Sequence, residues 1–253
     1  MVHNPNARGR APRYKVNDSL KPKGVTTILG KTLAKDLVSW AVGLCVDYLR
    51  DKLPVVTEED LTSASRAYIT KRDSGANTGS EAHAMVEGYL KGRPSTENGS
   101  EEAQNAYRAF VEWFEDAAPT VVNVEEVVYS ERLEYAGTYD CMLEIDGKVY
   151  LCDLKTTNTS RNAPRGIYAE YFIQLGAYAQ AHDEQRRYEE ENGGTNLRKV
   201  DDLMVISAKK DGRLDIVTAS ELGLTVQACE NKFEEVINLH NFLTETTSKL
   251  GGR

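Results

Sequence analysis

The chain of 253 residues lacks any apolar run near the ~20 residues that a membrane-spanning helix needs. It lacks the glycine-rich phosphate-binding loop of ATPases. No apolar stretch follows its polar, basic start, so we expect a cytoplasmic protein without a secretory signal. C-x-x-C spacing is also absent, so we expect neither a zinc site nor an iron–sulfur cluster. The four cysteines are Cys45, Cys141, Cys152 and Cys229.

Acidic residues outnumber basic ones, and the net charge of −8 argues against a protein that coats nucleic acid. It does not exclude an enzyme that grips DNA locally, because the distribution of charge matters more than its sum. Between Arg8 and Lys35 there are eight Lys or Arg residues and one acid, Asp18. This stretch fits either phosphate contacts or a solvated tail. We expect a flexible basic arm over 1–23 and a single domain over 24–253.

A hairpin predicted over 137–155 is the most informative segment. Asp146-Gly147 lies between two alternating apolar runs, which is the strongest short-range signal for a two-residue turn. With that turn, the numbers of paired residues add up to 293, and Cys141 lies opposite Cys152. We expect these two as buried thiols and not as a disulfide. The alternation predicts one apolar layer formed by Tyr139, Cys141, Leu143, Ile145, Cys152 and Leu154.

The opposite face of this hairpin carries charge. In the same register Asp140 lies across from Asp153, with Lys155 two residues further along that face. Like charges directly opposed in a sheet are destabilising. A divalent cation between the two carboxylates is the simplest explanation, and the lysine can then hold a water or an anionic oxygen. The arrangement indicates a metal-dependent phosphodiesterase site.

Hydrophobic periodicity predicts helices first and then mostly strands, which together form an α/β sandwich around a mixed sheet. Thr57 with Asp60 and Thr78 with Glu81 each have the spacing of a capping box, which predicts two separate helix starts. The predicted helices cover 31–50, 57–72, 78–92, 101–117, 167–187 and 220–247, and the strands 121–131, 136–145, 148–155, 203–207 and 214–217.

Several motifs in the expected order resemble the PD-(D/E)xK nucleases. Asp140 followed by Asp153-Leu154-Lys155 resembles their bipartite active site. Gly79–His83 resembles the glycine-to-histidine helix motif of the RecB-like branch, and Gln174–Tyr178 its Gln-x-x-x-Tyr motif. The four-cysteine cluster pattern of the related CRISPR-adaptation nucleases is absent.

The N-terminal part carries a further resemblance. Gly24–Leu29 with Trp40 is similar to the start of mitochondrial genome maintenance exonucleases and related phage proteins. The resemblance covers about 24–207 and implies a restriction-endonuclease-like α/β core, with a mixed β-sheet flanked by helices and an N-terminal helical region. We expect a mainly helical part over 24–118, the catalytic sheet core over 119–218 and a C-terminal helix over 219–253.

The resemblance implies a role for each residue of the centre. Asp140 and Asp153 would bind Mg²⁺ or Mn²⁺ together with the carbonyl of Leu154. Lys155 would orient the attacking water or stabilise the transition state. His83 would complete the metal shell from its helix; the alternative is a helix-edge histidine bonded to a neighbour.

Other residues are implied to contact DNA. Gln174 and Tyr178 share a helix face and would position the scissile strand, or would simply pack. Arg161 and Arg165 would clamp phosphates, or lie in a solvated loop. An accessory carboxylate would come from the first strand. The candidates are Glu125, Glu126 and Glu131, and we select Glu126.

The function implied is a Mg²⁺- or Mn²⁺-dependent DNA exonuclease of the phage type, acting in DNA replication, recombination or repair. Its partners would be linear DNA, bound at an end, and a single-strand annealing or binding protein; no membrane is expected. Two alternatives stay open. One is a non-catalytic nucleic-acid-binding module that keeps the nuclease fold, and the other is a DNA endonuclease.

Overall fold

The computed structural model describes residues 2–3, 14–15, 21–33, 37–94, 99–158, 164–194 and 197–251. Most of the basic arm predicted over 1–23 lies outside these residues. The helices are α1 (Val25–Thr32), α2 (Val38–Arg50), α3 (Glu58–Leu90), α4 (Glu101–Ala117), α5 (Ala169–Glu191) and α6 (Val226–Lys249). The strands are β1 (Val2–His3), β2 (Tyr14–Lys15), β3 (Lys23–Gly24), β4 (Thr120–Ser130), β5 (Tyr135–Ile145), β6 (Lys148–Thr157), β7 (Asp202–Lys209) and β8 (Leu214–Thr218).

The main sheet is mixed, as predicted, and β5 is its organising strand. β4 runs antiparallel along one side of β5. On the other side, β6 pairs antiparallel with the second half of β5, and β3 pairs parallel with its first two residues. The order continues from β6 through the parallel β7 to the antiparallel β8. The side of β5 between its β3 and β6 partners is where the two hairpin strands part.

The hairpin register is confirmed. Cys141 pairs with Cys152 and Ile145 with Lys148, so paired numbers add up to 293. Asp146 and Gly147 both have positive φ, 50° and 76°, as a two-residue type I′ turn requires. The regular β5–β6 pairing ends at the cysteine pair, one step before the aspartates. Both cysteines are buried free thiols.

Two helical layers cover the sheet. α3 and α4 bury Cys141, Leu143, Cys152 and Leu154 on one face. α1, α5 and α6 cover the other face. Tyr139 was predicted to join the first layer, but it belongs to the second, where its ring lies edge-on to His182. The alternation of β5 therefore slips between Tyr139 and Cys141, which is where Asp140 lies.

The two helices predicted over 57–72 and 78–92 are one continuous helix, α3. Thr57 and Asp60 form its capping box, as predicted. The hydroxyl of Thr78 instead donates to the Ser74 carbonyl within the helix. Glu81 accepts hydrogen bonds from the amide and hydroxyl of Ser100, at the start of α4. The second capping-box prediction was wrong because both side chains had better partners.

The helix predicted over 31–50 begins at Val38, and a separate helix, α1, precedes it. α2 has no buried residue in the part of the chain described, and Trp40 is 40% exposed. Among the residues that the structure describes, no helix combines the length and apolarity needed to span a bilayer.

Gly176 lets α5 and α6 approach closely. A Cβ atom at this position would lie 2.4 Å from the backbone carbonyl carbon of Cys229. Real Cβ atoms do not come so near to backbone, so any side chain here must push the helices apart. Since α5 carries residues of the predicted site, this contact helps to set the position of that site.

We predict that Gly176→Ala destabilises the protein. Overpacking costs about 1–3 kcal/mol, which exceeds the 0.5–1 kcal/mol, roughly, that alanine gains over glycine inside a helix. Urea denaturation should give a lower free energy of unfolding. Gly75→Ala is the matched control, because a Cβ there meets nothing within 4 Å, and it should stabilise α3. A Gly176→Ala variant as stable as Gly75→Ala would refute the packing argument.

Candidate active site and metal centre

The Asp140 carboxylate lies at the centre of the site and is held from two sides. One oxygen, Oδ1, is 3.3 Å from Nδ1 of His83 on α3. The other, Oδ2, accepts a 2.6 Å hydrogen bond from the backbone amide of Leu154 on β6. That amide is available because the β5–β6 pairing stops before it. The structure therefore brings His83 to the opening between the strands, bonded to a neighbour, and its role as a metal ligand stays a prediction.

Glu125 joins this pair and takes the place predicted for Glu126. The ligand atoms of His83, Glu125 and Asp140 all lie within 4.8 Å of one another. In the β4–β5 register, pairs on either side of Glu125 place it next to Asp140. Glu125 has a left-handed backbone, with φ of 55°. Strand alternation alone does not indicate such a reversal.

The other two candidate carboxylates lie elsewhere. Glu126 is exposed and pairs in register with Tyr139, near the buried His182. Glu131 is exposed beyond the end of β4. The selection of Glu126 was therefore wrong, although its neighbour was among the candidates. The choice depended on the positive φ of Glu125, and two consecutive glutamates in a strand do not indicate which of them has that conformation.

Asp153 and Lys155 form a second, more buried pair. Asp153 is 3% exposed, and its Oδ2 lies 2.6 Å from the Lys155 Nζ. This ion pair is the contact that Asp153 Oδ2 makes with the described residues, and it holds the lysine beside the carboxylate. Asp153 lies outside the close cluster of His83, Glu125 and Asp140. The charge of Asp140 nevertheless reaches Asp153 and raises its pKa.

The charged groups of the site shift one another's pKa values. Burial opposes the ionised form of Asp140, but His83 and Lys155 outweigh it and lower the pKa of this carboxyl. Burial, and then Asp140, raise the pKa of Glu125 to about 7. Burial raises the pKa of Asp153 to about 6; Lys155 opposes this and Asp140 adds to it. Burial favours neutral His83, but Asp140 outweighs it and raises the histidine pKa. Burial likewise opposes a charged Lys155, yet Asp153 and Asp140 raise its pKa.

These residues fit a divalent cation. Three carboxylates and one imidazole are the donors that suit Mg²⁺ or Mn²⁺, with the histidine favouring Mn²⁺. The buried Asp153 carboxylate offers oxygen ligands to such an ion, beside the Lys155 ammonium that lies 2.6 Å from its Oδ2. The Leu154 amide is engaged by Asp140, and the role of the Leu154 carbonyl as a ligand stays a prediction.

Gln174 and Tyr178 lie on the same face of α5, next to the lysine. The Gln174 amide nitrogen donates a 2.8 Å hydrogen bond to the Tyr178 hydroxyl, and its oxygen lies 3.5 Å from the Lys155 Nζ. Tyr178 is 2% exposed and packs against Gly137, where a Cβ would meet the ring at 2.2 Å. Its ring therefore offers no surface to DNA as placed. We assign Tyr178 to positioning Gln174.

The two arginines predicted to clamp phosphates have different outcomes. Arg165 donates a 2.8 Å hydrogen bond to the Ile216 carbonyl and lies 3.6 Å from Asp215, with about half of its side chain exposed. These contacts fasten the loop after β6 to β8. Arg161 lies outside the described residues.

We predict that Glu125 and Asp153 each contribute a loss of stability to the metal-free protein as pH rises from about 4 to about 7. The folded-state pKa values of Glu125 and Asp153 lie above their unfolded values, so the native state binds more protons in this window. Glu125→Gln should make the decline shallower, since it removes one of the two groups. Free energies of unfolding in EDTA, measured across this pH range, check this.

Glu126→Gln is the matched control, because it makes the same change at the adjacent, exposed position. It should follow the wild-type pH dependence. If Glu125→Gln and Glu126→Gln gave the same profile, Glu125 would not be part of the charged centre.

Comparisons with known proteins identify the family of the chain. Residues 56–239 match the family model of the PD-(D/E)XK nuclease superfamily. Mitochondrial genome maintenance exonuclease 1 of Mus musculus is 26% identical over 136 residues, which are 53% of this chain and 37% of that protein. The chain thus spans little more than a third of that relative's length.

Two solved structures show more distant similarity. An alkaline exonuclease from Laribacter hongkongensis is 12% identical with a TM-score of 0.31, covering 66% of this chain and 84% of that chain. A candidate exonuclease from Eubacterium rectale is 14% identical with a TM-score of 0.37, covering 65% of this chain and 68% of that chain. The family model covers well over half of the sequence, and the chain belongs to the PD-(D/E)XK nuclease superfamily.

Proposed function

We propose that the protein is a divalent-metal-dependent DNA exonuclease of the phage type, acting in DNA replication, recombination or repair. The observation that supports this most is the meeting of Asp140, Asp153 and Lys155 where β5 and β6 part, with His83 reaching them from α3. The mouse relative is named an exonuclease, which favours cleavage from a DNA end.

The metal would be held by Asp140, Asp153, His83 and Glu125. The chemistry that a bound Mg²⁺ or Mn²⁺ supplies is a lowered pKa of its water and compensation of charge on the phosphate. The hydrogen bond from the Leu154 amide fixes the rotamer of Asp140, so the carboxylate is oriented before any ligand arrives. His83 is oriented in turn by Asp140.

Lys155 acts as a cation. Its pKa is raised by Asp153 and Asp140 despite burial, so it stays protonated at neutral pH and is unsuited to remove a proton from water. Its Nζ lies between the Asp153 carboxylate and the Gln174 oxygen. A protonated amine held there is suited to donate hydrogen bonds to a phosphate oxygen as charge develops in the transition state.

We predict that Lys155→Ala keeps metal and DNA binding but cleaves end-labelled DNA about 10²- to 10³-fold more slowly, the usual loss when one transition-state donor is removed. Lys232→Ala is the control, because Lys232 is exposed on α6 and pairs with Glu235. Asp153→Asn should abolish cleavage and leave the fold intact. Full activity of Asp153→Asn, or of the wild type in excess EDTA, would remove this site from the proposal.

We predict that cleavage needs a DNA end. A covalently closed single-stranded circle should resist digestion under conditions that degrade its linear form. Affinity should fall steeply with salt, since phosphate contacts release counterions. Replacing Arg8, Arg10 and Arg13 by glutamine removes three positive charges and should flatten that dependence without changing metal binding, since Tyr14 and Lys23 keep their contacts with β5. Equal cleavage rates on circular and linear DNA would show that the protein needs no DNA end and is an endonuclease.

A further inference from the structure

A cavity of about 360 Å³ lies beside the first turn of α5, close to the site but separate from its charged residues. We call it the Tyr168 pocket. Its walls are almost entirely apolar, with one arginine among them. They include Arg165, Ile167, Tyr168, Phe172, Leu222 and Leu224. The proposed mechanism uses none of these walls.

We infer that the Tyr168 pocket binds one unpaired nucleobase of the DNA strand whose phosphate lies at the metal centre. This inference rests on the proposed nuclease function and specifies its substrate as single-stranded DNA, or a duplex end frayed into single strands. A base inside a duplex presents only its edge, whereas a base seated in a pocket must leave the stack.

Aromatic rings connect the pocket to the catalytic lysine. The ring of Tyr168 packs edge-on against Tyr171, with centroids 5.6 Å apart. The centroid of the Tyr171 ring lies 4.9 Å from the Lys155 Nζ, which is 2.6 Å from Asp153. Each step is short, so a strand with its phosphate at Lys155 has a neighbouring base within reach of Tyr168.

The chemistry of the walls matches a base. Tyr168 is 40% exposed, and Leu222 and Leu224 are 53% and 39% exposed, so apolar surface faces water at the pocket. Every base has an apolar π-face that stacks on an aromatic ring, which gives binding without sequence preference. Arg165 adds a positive charge at the rim, with about half of its side chain exposed, suited to a backbone phosphate.

The nearness of the reacting centre favours DNA as the occupant over a protein segment. Tyr168 contacts Tyr171, whose ring lies 4.9 Å from the Lys155 Nζ, so a polypeptide that extended from the pocket past Tyr168 would enter the space that the proposed substrate needs. A nucleobase can fill the apolar pocket while the phosphates of its own strand continue towards the lysine. The pocket volume is at the lower end of the range for small-molecule sites, which suits a single base.

The test measures the binding of a fluorescein-labelled single-stranded oligonucleotide to the full chain in EDTA, by anisotropy, so that cleavage plays no part. Tyr168→Ala should raise the Kd about 5- to 150-fold, the usual effect of losing one base–aromatic stack. Tyr168→Phe keeps the ring and should bind like the wild type. Tyr188→Ala is the matched control, because Tyr188 is a 69% exposed tyrosine on the same helix, about 30 Å along it.

A second measurement keeps the wild-type protein and changes the DNA. Single abasic sites are placed at successive positions from the end of the oligonucleotide. One position should weaken binding by a factor similar to that of Tyr168→Ala, and the same abasic site should cost Tyr168→Ala nothing further. The abasic-site measurement on the wild-type protein tests the pocket even if Tyr168→Ala folds poorly.

The outcomes separate the pocket from the nuclease. Unchanged DNA affinity in a folded Tyr168→Ala, or the absence of a sensitive abasic position, overturns the proposal that the pocket binds a base. Metal-dependent cleavage by the wild type would then still support the nuclease function. Binding that depends on Tyr168 in a protein that never cleaves DNA supports the pocket and overturns the nuclease.

Discussion

A 2.6 Å hydrogen bond from the Leu154 amide to the Asp140 carboxylate joins β5 and β6 just where their regular pairing ends. The site depends on this contact. If the strands stayed paired, the amide would be used in the ladder and no gap would open for His83. Separation of the strands leaves a backbone donor to be satisfied, and the side chain of Asp140 satisfies it. The same side chain then presents its second oxygen to the helix.

The concentration of carboxylates at this gap is costly for the protein alone. Raised pKa values of Glu125 and Asp153 show that burial, and then repulsion from Asp140, oppose their ionised forms. The strained backbone of Glu125 adds to the cost. Such arrangements persist where a ligand supplies the missing charge, which is why a divalent cation explains the site better than a structural role does.

The sequence predicted the hairpin well because a two-residue turn and a buried face leave only one register. That register places Asp140, Asp153 and Lys155 at the same end of the hairpin, although the strands part before the two aspartates pair. Glu125 was missed because a left-handed residue reverses strand alternation without a sequence signal. The break predicted at Thr78 was wrong because Thr78 and Glu81 bond to Ser74 and to Ser100 instead.

The contribution of Tyr178 also depends on long-range packing. From the sequence it was a residue one turn from Gln174, suited either to positioning DNA or to packing in the core, and the structure shows the second. In the structure the absence of a side chain at Gly137 lets the Tyr178 ring sit against β5, out of reach of a ligand. Helical spacing predicts which side chains share a face, but not how deeply that face is buried.

The central claim is that the gap between β5 and β6 is a metal site. Crystals grown with Mn²⁺ and measured for anomalous scattering would test it most directly. We expect one strong peak in the gap, at bonding distance from the carboxylates of Asp140 and Asp153 and close to His83. Bound Mn²⁺ at another place, with the gap free of anomalous density in a catalytically active protein, would contradict the account.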